Sequence, residues 1–202
     1  KWGHISNKWV QIIKNNDLIG NYEKIKCVDL CCGTGNFLKS LALYNENPKS
    51  KFLGYDLNQD MLDNANSKDS RINFQKQDII TLNFEKCNLI SCTYNSLNYI
   101  DSFNSISNIL KSSIRSLKKN GKLIFDFKPF EFYQNIPKTK IINHNKDSFI
   151  TEIINKTENF LDLRVTCFFN KGNVLYEKII FTQREYFINS NNLLSIFKMI
   201  RI

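Results

Sequence analysis

The segment Cys27–Phe37, CVDLCCGTGNF, concentrates residue types that could do chemistry. An apolar run ends at Asp29, two cysteines follow, and Gly33-Thr34-Gly35 comes next. An acid, a thiol pair and two glycines after a strand could form a metal site, a redox pair, a phosphate cradle or a nucleoside pocket. The rest of the chain discriminates among these four kinds of site.

The cysteine spacings argue against a metal site and a redox pair. None of the six cysteines forms a C-x-x-C pair, and the chain has only two histidines. Zinc and dithiol sites need such spacings, whereas cysteines in apolar runs usually behave as small buried hydrophobes. We therefore expect no metal site and no disulfide among Cys27, Cys31, Cys32, Cys87, Cys92 and Cys167.

The two glycines do not complete a phosphate-binding motif. A dinucleotide site needs G-x-G-x-x-G, but Leu38 stands at the third glycine position. The P-loop pattern G-x-x-x-x-G-K-[ST] does not occur in the chain. Gly33 and Gly35 still permit unusual backbone angles and close approach of a ligand, which favours the nucleoside pocket.

Apolar patterning places this segment at the first strand-to-helix turn of an α/β fold. Strand-like and helix-like runs alternate as far as Pro129, which predicts a Rossmann-like, doubly wound, mostly parallel sheet with helices on both faces. Ligands of such sheets bind beyond the carboxyl ends of the strands. The predicted strands are KIKCVDLCC, KFLGYDL, INFQKQDI, CNLISCTYN and KLIFDFKP.

Four helices are predicted between and before these strands. Ser6 or Asn7 is expected to cap the first, SNKWVQIIKNN, and Asn58 the third, NQDMLDNANSK. The second is GNFLKSLALYNEN, with Phe37, Leu38, Leu41 and Ala42 on one face. The fourth, DSFNSISNILKSSIRSLKKNG, is expected to end at Gly121.

The pattern changes after Pro129. FITEIIN, FLDLRVTCFF and VLYEKIIFTQREYF are strand-like without intervening helices, which predicts an antiparallel β add-on of about three strands. NKGN (Asn170–Asn173) is the expected hairpin turn, and Ser190 is the expected cap of a final helix. Because the add-on follows the fifth strand, we expect it over the carboxyl edge of the parallel sheet.

The spacing D-x-x-x-G-x-G from Asp29 to Gly35 resembles motif I of the class I S-adenosylmethionine-dependent methyltransferases. Cys31 stands where the family usually has its first glycine. The resemblance implies that Asp29, Cys31, Gly33 and Gly35 belong to the binding site for S-adenosyl-L-methionine. It covers residues 6–128 well and the remainder in outline.

Three later strand ends extend the resemblance. Asp56 follows the second strand, 21 residues after Gly35, and would accept the ribose hydroxyls, with Leu57 and Met61 beside the adenine. Asp56 could instead cap the helix near Asn58. The resemblance further implies that Asp78 accepts from the adenine amino group, although it could be a simple turn residue. The remaining implied cofactor-binding residues are Ile79, Thr93 and Tyr94.

The resemblance implies a single methyltransferase domain, with a cofactor-binding core at about 6–128, a substrate-side add-on at about 129–189 and a final helix at 190–202. The family's sheet normally closes with a further hairpin, so the chain is expected to be truncated before it. The implied reaction transfers a methyl group in line to an N or O atom of a small-molecule acceptor. No catalytic base is evident, and Tyr94, Asn98, Tyr99 and Tyr133 are expected near the methyl group.

Nucleic acid is a disfavoured acceptor. The segment Thr93-Tyr94-Asn95-Ser96 lacks the [DN]-P-P-[YFW] pattern of amino-directed nucleic-acid enzymes, and Ser91 precedes Cys92 where cytosine-C5 enzymes have proline. The net charge of +9 accompanies a general abundance of Lys, Asn and Ile. The alternatives are an RNA or protein methyltransferase, a non-catalytic S-adenosylmethionine-binding module and, least favoured, a nucleotide-dependent oxidoreductase.

Composition sets the remaining limits. The chain has 202 residues, of which 42% are hydrophobic and 23% are charged, as is typical of a globular domain. It shows neither a membrane span nor a signal peptide, so we expect a cytoplasmic protein that does not bind membranes. The oligomeric state stays open.

Overall fold

A computed structural model describes residues 2–20, 24–65, 69–137, 139–144, 148–172 and 175–199. The chain divides into two compact units, which are described in turn. The first unit contains most residues up to Leu97 together with Ser102–Phe127, and the second contains Asn98–Asp101 and Lys128–Met199.

The first unit contains a parallel sheet of five strands in the order β3-β2-β1-β4-β5. Strand order reverses between β1 and its neighbour β4, and ligands of open α/β sheets bind at the carboxyl ends of strands at such a point. The predicted fold class is confirmed. The strands are β1 (Lys26–Leu30), β2 (Lys51–Asp56), β3 (Ile72–Lys76), β4 (Cys87–Cys92) and β5 (Leu117–Phe125).

Four helices accompany this sheet: α1 (Trp2–Asn15), α2 (Asn36–Tyr44), α3 (Gln59–Asn64) and α4 (Phe103–Arg115). The core forms where they meet the sheet, since all six residues of β4 are buried and the predicted apolar face of α2 is buried as well. The Asn58 side chain accepts a hydrogen bond from the Met61 N–H at 3.2 Å, so the predicted cap of α3 is confirmed.

Two predicted helix boundaries in this unit are wrong. Helix α1 begins at Trp2, so Ser6 and Asn7 lie inside it rather than capping it. Helix α4 ends at Arg115, and Gly121 lies within β5.

The end of α4 depends on pairing between distant strands. Leu117 pairs with Cys87 and Lys122 with Leu89, so the intervening residues form an irregular segment of the β4–β5 ladder. A Cβ atom on Gly121 would lie 3.0 Å from the Lys118 carbonyl oxygen and 3.2 Å from that of Asn88. Close backbone packing, rather than a helix terminus, therefore favours glycine at this position.

The second unit contains an antiparallel sheet in the order β6-β7-β8-β9. Its strands are β6 (Thr139–His144), β7 (Ser148–Lys156), β8 (Phe160–Asn170) and β9 (Tyr176–Tyr186). It has four strands rather than the predicted three or so, because the short, polar β6 lacks a clear apolar alternation. Its apolar core includes Tyr133, Ile154 and Leu161.

Two turn predictions fall in this unit. Gly172 donates its N–H to the Asn170 Oδ1 at 2.7 Å in the connection from β8 to β9, whereas Asn173 lies outside the described residues. Helix α5 (Ser190–Met199) is capped by Asn189, whose Oδ1 accepts from the N–H groups of Asn191 and Asn192. Ser190 is therefore not the cap. Within the described ranges, every helix is too short or too polar to cross a membrane.

Candidate functional site

The turn after β1 contains several residues in the left-handed region of backbone space. Cys31 has φ 57°, Gly33 53° and Gly35 71°, and the Gly35 N–H donates to the Cys32 carbonyl at 2.9 Å. These angles let the chain leave β1 and enter α2 within a few residues. For Cys31 this conformation costs about 1–2 kcal/mol, which explains why a glycine suits the position.

Asp56, at the end of β2, reaches this turn. Its Oδ2 accepts from the Gly33 N–H at 2.7 Å, and its Oδ1 accepts from the Asn58 N–H at 2.9 Å. A carboxylate offers about four acceptor positions, so with respect to the described residues each Asp56 oxygen keeps about one further position. Two free positions on one carboxylate fit the two vicinal hydroxyls of a ribose.

The two glycines of the turn have different surroundings. A Cβ atom on Gly33 would have no atom within 4 Å, whereas one on Gly35 would lie 2.2 Å from Cζ of Phe74. Gly33 therefore borders open space that a ligand can enter. Gly35 is packed against the side chain of Phe74 on β3, and this contact supports the turn.

Asp29 lies in β1, just before the turn, and is 2% exposed. It is the register partner of Ser91 on β4, whose Oγ donates to its Oδ1 at 2.7 Å. Burial raises the pKa of the Asp29 carboxyl to about 7, the Ser91 hydrogen bond opposes this, and the charge of Asp56 adds to it. The structure gives Asp29 a position from which it can support the turn.

We expect an Asp29→Asn variant to have a flatter dependence of unfolding free energy on pH than the wild type. The unfolded carboxyl titrates near 3.8 and the folded one near 7. The protonated Asp29 stabilises the folded protein fully below the lower pKa, and this contribution is lost as the pH rises through the higher pKa. The reason is that between the two values the unfolded chain binds fewer protons than the folded protein. Urea unfolding at intervals between about pH 4 and pH 8 measures both slopes.

A Ser91→Ala variant is the companion to this experiment. It removes a hydrogen bond that lowers the Asp29 pKa, so the loss of stability should extend to higher pH than in the wild type. If the unfolding free energies of the wild type and Asp29→Asn had the same dependence on pH, Asp29 would have an ordinary pKa in the folded protein.

The predicted adenine-side residues lie after β2 and β3. Leu57 is 59% exposed and Met61 is 44% exposed, so both offer apolar surface to a ligand. Ile79 is buried. Asp78 accepts from the Ile80 N–H at 2.9 Å, so it has the turn role that the sequence left open, and its carboxylate keeps further acceptor positions.

The end of β4 is strained. Tyr94 has φ 64° and Asn95 has φ 59°, while the preceding Thr93 is buried. The Asn95 N–H donates to Asp126 Oδ1 at 2.7 Å, which holds this conformation. Left-handed non-glycine residues often mark functional sites, and the strained Cys31 lies at the end of the neighbouring strand β1.

Two supporting residues, Ser91 and Asp126, were missed by the sequence analysis. Each had a signal. Ser91 is a polar residue within a fully buried strand, and such a group needs a hydrogen-bonding partner. Asp126 follows β5 directly, as Asp56 ends β2.

The four residues predicted near the methyl group differ in exposure. Asn98 and Tyr133 have no exposed surface, and both side chains form hydrogen bonds within the second unit, which gives them structural roles. Tyr99 is 45% exposed. Tyr94 is partly buried and packs against the apolar core of the first unit.

Most of the cysteine side chains are buried. All six cysteines are free, and in the described part of the chain no three His, Cys, Asp or Glu side chains are grouped closely enough to hold a metal ion. Cys92 is 1% exposed, and a hydrogen bond with Cys31 together with burial raises the pKa of its thiol. A thiol in this state is a poor nucleophile.

A family model described as a methyltransferase domain matches residues 27–121. The chain is similar in structure to an S-adenosylmethionine-dependent methyltransferase from Clostridium acetobutylicum, at 23% identity and a TM-score of 0.82, over 95% of this chain and 78% of that chain. A search of curated proteins found no match.

Two further solved structures are similar over most of the chain. One is an amino pentose methyltransferase of calicheamicin biosynthesis from Micromonospora echinaspora, at 12% identity and a TM-score of 0.78, over 98% of this chain and 82% of that chain. The other is a sugar N-methyltransferase from Streptoalloteichus, at 11% identity and a TM-score of 0.73, over 96% of this chain and 76% of that chain.

The matched range contains the glycine turn, Asp56, Asp78 and the end of β4. The reversal of strand order, the open space at Gly33 and the two free acceptor positions of Asp56 fit the adenosine part of S-adenosylmethionine. Residues 27–121 therefore match a methyltransferase domain, and the fold is that of the S-adenosylmethionine-dependent methyltransferases to which the chain is similar, which indicates S-adenosylmethionine as the cofactor.

Proposed function

We propose that this enzyme transfers a methyl group in line to an N or O atom of a small-molecule acceptor. The observation that carries the proposal is the antiparallel sheet that follows β5. The similarity in fold to the amino pentose methyltransferase covers 98% of this chain and so includes this sheet. In the proposal, the second unit supplies the acceptor side of the enzyme.

The proposal gives the cofactor-side residues distinct tasks. Asp56 holds the ribose hydroxyls, Leu57 and Met61 contact the adenine, and Thr93 and Tyr94 border the methionine part. S-Adenosylmethionine supplies a methyl group already activated on a sulfonium. The chain's task is therefore orientation, which can lower a barrier by about 7–11 kcal/mol. A base is needed only for an acceptor that arrives protonated.

Two observations disfavour nucleic-acid chemistry. Cytosine-C5 methylation needs a reactive thiol after β4, and Cys92 is buried with a raised pKa. Amino-directed nucleic-acid enzymes carry a proline pair after this strand, where this chain has the left-handed Tyr94 and Asn95. An RNA acceptor recognised through the net charge of +9 stays an outcome of the test.

The test is a methyl-transfer assay with S-adenosylmethionine labelled in the methyl group. We expect label in at least one member of a panel of amino sugars, amino acids, small amines, alcohols and acids, and none in RNA or protein. An Asp56→Ala variant is the control for cofactor-dependent transfer. Label in RNA or protein alone would overturn the proposal. Tight binding of S-adenosylhomocysteine without transfer to any acceptor would instead indicate a non-catalytic module.

A further inference from the structure

The last strand of the antiparallel sheet, β9, lies at an edge of that sheet. It pairs with β8 over its full length, Tyr176–Tyr186, and among the described strands none lies on its other side. The backbone N–H and C=O groups on that side therefore have no ladder partner among the described strands. Such an edge is a template for pairing with a further strand.

The middle of β9 is apolar and exposed. Ile179, Ile180 and Phe181 are consecutive, and each is between 43% and 46% exposed. Because neighbouring residues of a strand point to opposite faces of the sheet, apolar surface is exposed on both faces here. By contrast, the exposed residues of β3, an edge strand of the parallel sheet, are all polar. The edge at β9 thus combines free backbone groups with apolar surface.

A second copy of β9 fits this edge in few registers. In a dimer with a two-fold axis perpendicular to the sheet, the two copies of the edge strand run antiparallel. Antiparallel residue pairs alternate between a hydrogen-bonded and a non-hydrogen-bonded kind, and the axis must convert each pair into one of the same kind. One residue at the axis therefore has to face its own copy. The exposed apolar candidates for this position are Ile179, Ile180 and Phe181.

The charges of β9 favour Ile180 at the axis. No like charges then face each other along residues 176–184, and the facing pairs are Ile180–Ile180, Ile179–Phe181, Lys178–Thr182, Glu177–Gln183 and Tyr176–Arg184. Apolar residues meet apolar residues at the centre, and each charged residue meets a polar or aromatic one. Such pairs are the unit of sheet stabilisation.

The two neighbouring registers are less favourable. With Phe181 at the axis, Lys178 would face Arg184, and like charges directly opposite each other destabilise a sheet. With Ile179 at the axis, Glu177 would face the apolar Phe181, and fewer residues would pair. The sequence of β9 is therefore self-complementary in one register.

We propose that the protein forms a two-fold dimer in which β9 pairs with β9 of a second copy, with Ile180 at the axis. The two antiparallel sheets then form one continuous sheet. Apolar residues that are exposed in the single chain come into contact across the new ladder, and both this burial and the added backbone hydrogen bonds favour association. The inference concerns the second unit and does not depend on the identity of the methyl acceptor.

Sedimentation equilibrium over a range of protein concentrations tests the association. We expect the wild type to form a dimer, and Ile180→Lys and Ile180→Glu to be monomers, because each substitution places like charges opposite each other at the axis. An equimolar mixture of the two variants should form a dimer again, since a lysine then faces a glutamate. Leu194→Lys, which introduces a charge at an exposed leucine of α5, is the matched control and should form the wild-type dimer.

Cysteine cross-linking tests the register. Residues that face each other in an antiparallel pair have Cβ atoms about 4.5–5.5 Å apart, so Ile180→Cys should form a disulfide with its own copy under mild oxidation. Glu177→Cys is the control, because position 177 of one copy faces position 183 of the other, and the two copies of residue 177 lie about 20 Å apart along the ladder. The wild type measures any background from the native cysteines.

Three outcomes would overturn the inference. The first is a wild type that stays monomeric at every concentration, which would leave the edge of β9 to another partner. The second is a dimer that neither charged substitution weakens. The third is cross-linking of Glu177→Cys but not of Ile180→Cys. Because Ile180 is exposed, its variants should keep the far-ultraviolet circular dichroism spectrum of the wild type, and the mixing experiment checks that both remain able to associate.

Discussion

An Asp56→Ala variant should bind S-adenosylhomocysteine about a hundredfold more weakly than the wild type. The substitution removes the carboxylate whose two free acceptor positions fit the ribose hydroxyls, and hydrogen bonds to charged groups contribute about 1.5–3 kcal/mol each. It also leaves the N–H groups of Gly33 and Asn58 without their present partner, so the turn loses its support. Isothermal titration calorimetry measures the change in affinity.

Two companion variants sharpen this prediction. Asp60→Ala removes an exposed acid from the first turn of α3, close in sequence to Asp56, and should change the affinity less than threefold. Asp56→Asn keeps one acceptor oxygen and should give an intermediate loss. Equal affinities for Asp56→Ala and Asp60→Ala would show that the carboxylate beside Gly33 does not bind the cofactor.

The second large effect is expected from Gly35→Ala, which should lower the unfolding free energy by about 2–5 kcal/mol. The new methyl group would lie 2.2 Å from Cζ and 2.5 Å from Cε1 of Phe74, at a backbone φ of +71°. The conformation and the overlap both oppose the substitution. Urea unfolding followed by circular dichroism measures the loss.

Gly33→Ala is the matched control, because it makes the same change two residues earlier in the same turn. Its φ is +53° and its Cβ would have no atom within 4 Å, so only the conformational cost of about 1–2 kcal/mol is expected. The added methyl group would occupy the open space that the cofactor needs, so this variant should lose affinity for S-adenosylhomocysteine.

Gly35→Ala combined with Phe74→Ala should be more stable than the sum of the two single changes predicts. Similar unfolding free energies for Gly33→Ala and Gly35→Ala would contradict the packing difference.

Several errors of the sequence analysis share one cause. The run after Arg115 reads as the end of a helix, yet the pairing of Leu117 with Cys87 draws it into β5. The strand β6 was missed because it is supported by its neighbour β7 rather than by its own pattern. In both places the conformation depends on a partner strand, and local propensity carries little information about that partner.

The candidate functional site shows the same contrast between features set by neighbouring residues and features set by distant ones. The acid at the end of β2, the glycine turn and the cap at Asn58 follow from residues close together in the chain, and each was located from the sequence. The bonds that support them join distant residues: Ser91 and Asp29 are separated by 62 positions, and Asn95 and Asp126 by 31. The Tyr99–Glu185 bond spans 86 positions. No rule based on the spacing of residues along the chain predicts such pairs.

The alternation of strands and helices, and with it the parallel sheet whose strand ends carry the predicted cofactor-binding residues, could be read from the sequence alone. This was possible because periodicity, glycine turns and helix caps act over a few residues. That Asp29 is a buried acid, and that Asn98 and Tyr133 are buried and hydrogen-bonded within the second unit, became evident only from the three-dimensional structure. These properties depend on burial and on hydrogen-bond partners, which the fold brings together from distant parts of the chain.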